Sequence, residues 1–374
     1  MRQNKLTLIV PIRAGATADL RTLLQGIGDD VMNNAVLRFS KSPRTHFARL
    51  VIFDREPVCR LLFSACYSDA LDSYITELVA CVGSGLDQIF SHCDGYFGGT
   101  WLAAYEATRF AVQYEVGHQV FVAAFPDTSA GDILQSRNVR AAFDNLLDIK
   151  AVNLAIGRLF PNGLKQAPPK AKSAGISNSP VSDFIDRLLV KPMTANSNSI
   201  VKTDSQIFDM EDRVVQNQMT IVSPNKPGFS RVLLRVVLFI VQLATRILGS
   251  LGMLPMIHFA QWSIIDNGDN LLFESNYDGT WEKYIDDFVD NAYVGLDAIW
   301  GKSPTYPPGG ARNIEAFKTQ IRNFQYPAQV FYSAYPDCTV QNIYDDLALH
   351  RALTDSTKNP SLRLFLSGSH TQSI

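Results

Sequence analysis

Two histidines occupy matching positions in two similar segments and are the first residues that could do chemistry. His46 lies near the start of the run THFARLVIF, and His258 lies near the start of IHFAQWSII. Imidazole changes its charge near neutral pH and binds iron, so each histidine could act as a general base or as the axial ligand of a haem-like cofactor. The competing interpretation is that each ring bonds a neighbouring backbone group and fixes the end of its strand.

Two charged residues lie inside runs that are otherwise apolar. Arg49 shares its strand face with apolar neighbours, so its charge needs a partner or a ligand. Glu274 lies in the middle of a later strand and could supply that partner or act as a base. The alternative places both side chains at a rim that reaches solvent. We therefore name His46, His258, Arg49 and Glu274 as the candidate catalytic residues.

Other patterns that carry chemistry point to no further site. The acidic residues Asp286, Asp287, Asp290 and Asp297 occur close together, but helical spacing places them opposite an apolar stripe, which is typical of a solvated face. The cysteines and histidines do not show the spacing of zinc ligands. Phosphate-binding and nucleophile motifs are also absent from the sequence. We predict no metal site and leave the cofactor-binding residues unassigned.

An internal duplication organises the chain and positions these residues. Residues 45–54 match residues 257–266, and residues 119–133 match residues 329–343, with further matches in between. Collinear matches over this length are typical of a duplicated unit. Each copy is predicted to contain a strand, a helix, two strands, a long amphipathic helix and a fourth strand. This βαββαβ order is that of a split ferredoxin-like unit.

The fold class that follows is α+β. Both faces of the strand at residues 46–54 are largely apolar, so helices must cover one face and a second sheet must cover the other. We predict two tandem ferredoxin-like repeats packed sheet to sheet as an intramolecular α+β barrel, with extra helices. The predicted divisions are a first repeat at 1–150, a linker with a short helical patch at 151–216, a second repeat at 217–357 and a flexible tail at 358–374.

The segment 231–252 is predicted to be an unusually apolar helix. Its arginines and Gln242 fall on one side, and nearly all of the remaining circumference is apolar. Arginines in mid-bilayer would be costly, so the helix is not expected to span a membrane. A helix that lies in the membrane interface avoids that cost, and insertion into the protein's own core or a subunit interface is the competing interpretation. The predicted membrane or partner contacts are Arg231, Arg235, Val237, Phe239 and Arg246.

Composition limits the classes of function. The chain has 374 residues, of which 46% are hydrophobic, and 34 basic residues are balanced by 36 acidic residues to a net charge of -2. No overall basic field would attract a nucleic acid, so no nucleic-acid partner is expected. The odd number of sparse cysteines and the lack of a secretory signal predict a reduced, cytoplasmic setting, at the inner face of a membrane if the helix binds lipid.

Several stretches resemble an uncharacterised bacterial protein family with the same duplicated layout. They are IHFAQW at 257–262, SNYDGTW at 275–281 and FYSAYP at 331–336, and the resemblance covers most of the chain without implying an agreed activity. The architecture is more distantly similar to the dimeric α+β barrel superfamily, which includes dye-decolorising peroxidases, chlorite dismutases and small monooxygenases. The GxxDG motif of the peroxidases is altered here, because Ser91 and Ser275 stand in its first position.

The function predicted from the sequence is that of a peripheral membrane-associated protein that binds or acts on a lipid-like or small hydrophobic molecule. The alternative implied by the resemblance is a haem- or oxygen-using oxidoreductase of the α+β barrel type, with His46 or His258 as ligand or base. A non-enzymatic module that binds a partner through the apolar helix is the third interpretation. Whether the protein is an enzyme stays open at this point.

Overall fold

The computed structural model describes residues 2–55, 57–147, 215–248 and 254–356, which form two halves with the same order of elements. The first half contains β1 (Gln3–Pro11), α1 (Thr17–Gly28), β2 (Thr45–Phe53), β3 (Arg60–Ser68), α2 (Leu71–Phe90), α3 (Ala104–Tyr114), β4 (Val120–Ala123) and α4 (Ala130–Leu147). The second half contains β5 (Gln216–Pro224), α5 (Phe229–Leu248), β6 (Ile257–Ile265), β7 (Asn270–Asp278), α6 (Trp281–Trp300), α7 (Ile314–Phe324), β8 (Ala328–Ser333) and α8 (Val340–Ser356). The predicted linker with its helical patch, up to residue 214, and the predicted tail lie outside the described residues.

Each half contributes strands to both sheets. The first sheet has the order β1-β3-β2-β8 and the second has the order β4-β6-β7-β5, with antiparallel pairing throughout. The short fourth strand of each half pairs with the other half, since Ala48 of β2 lies opposite Tyr332 of β8 and Ala260 of β6 lies opposite Val122 of β4. The α+β class and the presence of antiparallel sheets on both halves agree with the prediction.

The structure differs from the prediction in where the fourth strands pair. Before β4 the chain follows the edge of β1, where the Val116 amide donates to the Thr7 carbonyl at 2.8 Å, and it then crosses to β6. In the second half, the Tyr326 amide donates to the Thr220 carbonyl of β5, also at 2.8 Å, and the chain then crosses to β2. Because β2 and β6 are each completed by a strand from the opposite half, neither half has a complete sheet of its own.

Helices cover the outer face of each sheet. Leu50 of β2 lies in one buried cluster with Leu24 of α1 and Ile75 of α2. Trp262 of β6 lies in a second buried cluster with Leu238 of α5. These apolar side chains recur at the helical and strand spacings from which the elements were predicted, so their burial is what holds the helices on the sheets.

The inner faces of the two sheets pack against each other. At one end of the strands, Phe47 of β2 and Phe259 of β6 approach to a ring-centroid distance of 5.7 Å. At the other end, Val51 and Phe53 share a buried cluster with Leu272 of the second sheet. Both of these clusters mix residues of the two sheets, so the halves close on each other around a common core.

Helix α5 corresponds to the predicted apolar helix, of which residues 249–252 lie outside the described part of the chain. Val237 and Leu238 face the core, where the helix packs against β4 and α6. Val237 was predicted to contact a membrane or a partner, but it is only 7% exposed because its side chain packs in the core. Phe239, from the same prediction, is exposed. Within the described residues, no helix has the length and apolarity needed to cross a bilayer.

Candidate functional site

Polar residues fill the middle of the core between the sheets. They form two facing rows, which are Thr7, Ser64 and Arg49 in the first sheet and Thr220, Glu274 and Gln261 in the second. All of these side chains are buried. Strand alternation places them on the inner faces, because the neighbouring residues along each strand point to the helix-covered side. We call these residues, together with Lys5 and Asn276 in the adjoining rows, the central polar layer.

Glu274 connects the charges of the two halves. Its Oε1 atom lies 3.6 Å from Nε of Arg49 and 3.5 Å from Nζ of Lys5, and it accepts a hydrogen bond from the Ser64 hydroxyl. The side chains of Arg49 and Glu274 are 1% and 0% exposed, so the interpretation that they reach solvent at a rim is wrong. Of the roles considered for Glu274, the structure contains the one in which it partners Arg49.

Arg49 also donates hydrogen bonds across the core to the second half. Nη1 donates to the Gln218 side chain at 3.0 Å, to the Met219 carbonyl at 2.8 Å and to the Thr220 hydroxyl at 3.0 Å. Nη2 donates to the side-chain oxygen of Asn276. A buried guanidinium with several acceptors is fixed in one position, so Arg49 joins the two sheets.

Lys5 is the charged residue of the central polar layer that the sequence analysis missed. Its ammonium nitrogen lies 4.5 Å from the centre of the Phe259 ring. Burial lowers the pKa of Lys5 from 10.5 to about 8, although the attraction of Glu274 opposes this shift, and repulsion from Arg49 adds to it. The alternation of β1 could have found this residue, because its neighbours on the other face are apolar and pack under the helices.

The two predicted histidines lie at one end of this core, on either side of Tyr335. The centre of the Tyr335 ring is 6.0 Å from that of His46 and 6.2 Å from that of His258. Nδ1 of His46 is 2.9 Å from the Tyr335 hydroxyl, and Nε2 is 2.7 Å from the Ser68 hydroxyl. Nε2 of His258 lies 2.8 Å from the Asp278 carboxylate. Burial lowers the pKa of His46 to about 3, so this ring is neutral at physiological pH.

The histidine end of the core does not fit a haem. Both ring nitrogens of His46 are engaged in hydrogen bonds, and the ring is buried. Nδ1 of His258 has no hydrogen-bond partner among the described residues, but aromatic contacts with Phe47 and Tyr335 enclose the ring. The residue that matches Tyr335 in the first half is Phe125, which has no hydroxyl. Within the described part of the chain, His258 therefore lacks a contact like the one between His46 and the Tyr335 hydroxyl. An axial ligand must present a ring nitrogen to the face of a macrocycle, and these contacts leave no face free for one.

The acidic residues of α6 are used in ion pairs and in a loop. Asp286 lies 2.7 Å from Nζ of Lys318, and Asp297 accepts a hydrogen bond from the Ala311 amide at 2.8 Å. In the part of the chain that the structure describes, no group of three His, Cys, Asp or Glu residues could hold a metal ion. The contacts of Asp286 and Asp297 therefore account for these two acids without a bound cation.

Two clefts open at the end of the strands opposite to the histidines. One has a volume of about 600 Å³ and the other of about 540 Å³, and Arg60 and Asp266 line both. Nη2 of Arg60 donates to Oδ2 of Asp266 at 3.1 Å and links β3 to the β6–β7 turn. Burial would raise the pKa of Asp266, but hydrogen bonds from Arg60 and Asn270 outweigh burial and lower it. The predicted catalytic residues line neither of these clefts.

The larger cleft, which we call the Arg55 cleft, combines positive charge with apolar walls. Arg55 donates to the Asn323 carbonyl at 2.6 Å, and its guanidinium carbon lies 4.4 Å from the centre of the Tyr326 ring. The apolar part of the wall is formed by Pro57, Val58, Val222, Pro224 and Phe324. Arg55 and Val58 belong to the loop between β2 and β3, which is longer than the matching β6–β7 turn, so this wall has no copy in the second half.

Comparisons with known proteins place few limits on this chain. No family model and no curated protein sequence matches it. Two solved structures do: a candidate monooxygenase from Lactobacillus acidophilus NCFM, over 91% of this chain and 99% of that one, and a candidate monooxygenase from Fusobacterium nucleatum, over 90% and 97%. Each is 6% identical to this chain with a TM-score of 0.29. Likeness at this level carries no argument about fold or function.

Replacing Tyr335 with Phe is expected to lower the free energy of unfolding by about 1 kcal/mol, the net value of one buried hydrogen bond. The change removes the hydroxyl that lies 2.9 Å from Nδ1 of His46 and keeps the ring. Urea unfolding at neutral pH measures the loss. Tyr332→Phe is the matched control, because Tyr332 is also buried and its hydroxyl makes no hydrogen bond with the described residues. Equal losses in the two variants would contradict the prediction.

The contribution of Lys5 to the stability of the protein is expected to rise with pH where Lys5 titrates. Between pH 8 and pH 10.5 the unfolded lysine still binds its proton while the folded one has released it, so this residue contributes more to the unfolding free energy as pH rises. The unfolding free energy of the wild type minus that of Lys5→Met should increase by about 3 kcal/mol over this window.

The exposed Lys283 provides the control for this measurement. Lys283→Met removes an exposed ammonium group and shows how far the loss of one positive charge alone changes the pH dependence of the unfolding free energy. A difference between the wild type and Lys5→Met that does not change between pH 8 and pH 10.5 would contradict the prediction.

Proposed function

We propose that this chain binds a small amphiphilic anion, with an apolar body and an acidic group, in the Arg55 cleft. One observation carries the proposal: the guanidinium groups of Arg55 and Arg60 line a single cleft of about 600 Å³ together with apolar side chains. A volume of this size suits a small molecule. The ligand class expected from the sequence, a lipid-like or small hydrophobic molecule, is thereby narrowed to one that carries negative charge.

The two guanidinium groups are held in place before any ligand arrives. Arg55 is fixed by the Asn323 carbonyl and by the face of Tyr326, and Arg60 is fixed by Asp266. Side chains that are already ordered lose little conformational freedom on binding, so more of the interaction energy appears as affinity. Among the described residues that line the cleft, the charged ones are Arg55, Arg60 and Asp266. A guanidinium group forms charge-assisted hydrogen bonds with an acidic group, and a neutral molecule cannot form them.

The smaller cleft supports this assignment by contrast. It shares Arg60 and Asp266 with the Arg55 cleft, but Glu115 lies in its wall. Burial raises the pKa of Glu115, which still adds an acidic group where the Arg55 cleft has a second guanidinium. Among the described lining residues, the Arg55 cleft therefore has one guanidinium group more and one carboxyl group fewer than the smaller cleft.

If the chain is an enzyme, an oxidoreductase reaction is the one to test in the Arg55 cleft. This interpretation rests on the similarity of the predicted architecture to the α+β barrel superfamily, and architecture alone does not establish chemistry. His46, His258, Arg49 and Glu274 remain predicted catalytic residues, and their buried contacts favour a role in holding the two sheets together. A substrate in the cleft would instead meet Arg55, Arg60 and Tyr326.

Arg55→Gln is expected to weaken the binding of decanoate by about tenfold, the loss that corresponds to one charge-assisted hydrogen bond. Decanol has the same apolar body without the acidic group, so its weaker binding should not change. Isothermal titration calorimetry with the full chain measures both ligands. Arg109→Gln, on the exposed surface of α3, removes one guanidinium elsewhere and is the control for net charge.

Decanoate affinity that is the same in the wild type and in Arg55→Gln would contradict the proposed site. Oxygen uptake in the presence of an added reductant such as NADH, if it requires both the bound anion and Arg55, would add an oxidoreductase reaction to the binding function. Binding without such uptake would indicate a binding protein and would remove the oxidoreductase interpretation.

A further inference from the structure

Helix α5 presents a straight apolar stripe to solvent. The stripe consists of large side chains that are between 47% and 78% exposed, namely Phe229, Val232, Val236, Phe239 and Leu243. Their spacing alternates between three and four residues, which keeps them on one side of a helix. Exposed apolar side chains that are contiguous mark interaction sites far more often than scattered ones do. We call this set the α5 stripe.

The α5 stripe is not used by the fold. Leu234, Leu238 and Val241 lie on the opposite side of the helix and supply its contacts with the core. Helix α1, the matching helix of the first half, also buries one apolar side, but its exposed positions carry Ala18, Asp19, Thr22, Gln25 and Gly26. Since α1 covers its sheet without an exposed apolar stripe, the stripe on α5 is a property of this helix and not of the architecture.

Positive charge borders the α5 stripe. Arg235 and Arg246 are exposed, and they lie within one helical turn of Phe239 and Leu243 respectively. Arg231 pairs with Asp269 at the start of the helix. The helix contains three arginines and no acidic residue, although the chain as a whole has a net charge of -2. The side of α5 that faces solvent is therefore both apolar and cationic.

We propose that the α5 stripe docks the protein on an anionic lipid surface. A helix that lies flat in the interface places its apolar side chains among the acyl chains and its arginines among the phosphate groups. The charge disfavours a second copy of this chain as the occupant, because two such helices would bring their arginines together without any acidic partner. The opposite side of α5 is packed on the protein, so the helix lies on the bilayer rather than crossing it.

The docked helix would place the Arg55 cleft close to the lipid. Pro224, which lines this cleft, is followed directly by the short connection to Phe229 at the start of α5. Asn225 in that connection donates to the Gly268 carbonyl of the β6–β7 turn at 3.1 Å, beside Asp266. The proposal stands independently of the cleft, but an amphiphilic anion held there could enter from the membrane.

Sedimentation of the full chain with phosphatidylcholine vesicles, with and without phosphatidylglycerol, tests the proposal. The wild type should bind the vesicles that contain phosphatidylglycerol, and added salt should weaken this binding. Val236→Ser combined with Phe239→Ser should reduce the bound fraction by at least about tenfold, because apolar burial is lost on the lipid side. Both side chains are exposed, so folding should be retained.

Two further variants separate the contributions. Phe97→Ser is the control, since Phe97 is an apolar residue of the first half that is 81% exposed, and its replacement should leave vesicle binding unchanged. Arg235→Gln combined with Arg246→Gln should abolish the preference for phosphatidylglycerol while any residual binding to neutral vesicles stays the same. Arg55→Gln should bind vesicles like the wild type, and the stripe variant should still bind decanoate.

Several outcomes would overturn the proposal. They are a wild type that does not bind anionic vesicles, a stripe variant that binds as well as the wild type, and equal binding to neutral and anionic vesicles. A dimer that light scattering detects in the wild type and not in the stripe variant would also overturn it, because a second copy would then cover the stripe. Loss of decanoate binding in Arg55→Gln has no bearing on these results, so the two proposals fail separately.

Discussion

The guanidinium group of Arg49 is buried between the two sheets, and the rest of the core must supply partners for its charge. An unpaired charge at this depth would cost several kcal/mol, so the group must be surrounded by acceptors. The counter-charge, Glu274, and the acceptors on Gln218, Met219 and Thr220 all belong to the second half. The first half therefore cannot bury its inner face alone, and the two copies fold as one unit.

The fourth strands also make the two halves depend on each other, because each of these strands pairs with the sheet of the opposite half. β4 and β8 each complete a sheet whose other strands come from the opposite half. Pairing between residues as distant as Ala48 and Tyr332 must form before either sheet is complete. Such non-local pairing slows folding, because a long loop must close before the contacts that stabilise it are made. The same pairing completes both sheets, so the buried charges have hydrogen-bonded strands on both sides.

The order of elements and the pairing of Arg49 with Glu274 could be predicted, because periodicity and the cost of a buried charge are local signals. The exchange of strands could not, since QVFVAAFPD at 119–127 and QVFYSAYPD at 329–337 have the same pattern and either would fit β2 or β6. Lys5 was missed although its strand alternates. The Arg55 cleft depends on the conformation of the loop between β2 and β3, and residue types alone do not determine that conformation. The catalytic role of His46 and His258 remains a prediction.

The two halves have the same order of elements, so each site can be compared with the matching positions of the other half, and these positions differ where chemistry is possible. Lys5, Ser64 and Arg49 match Gln218, Glu274 and Gln261, so the cations lie in one half and the carboxylate in the other. A symmetric pair of copies would place like charges opposite each other, which is costly at low dielectric. In this chain the matching positions differ, so a carboxylate of one half meets the cations of the other. The loop with Arg55 and the exposed apolar stripe of α5 also lack a copy in the opposite half, and both lie outside the central polar layer.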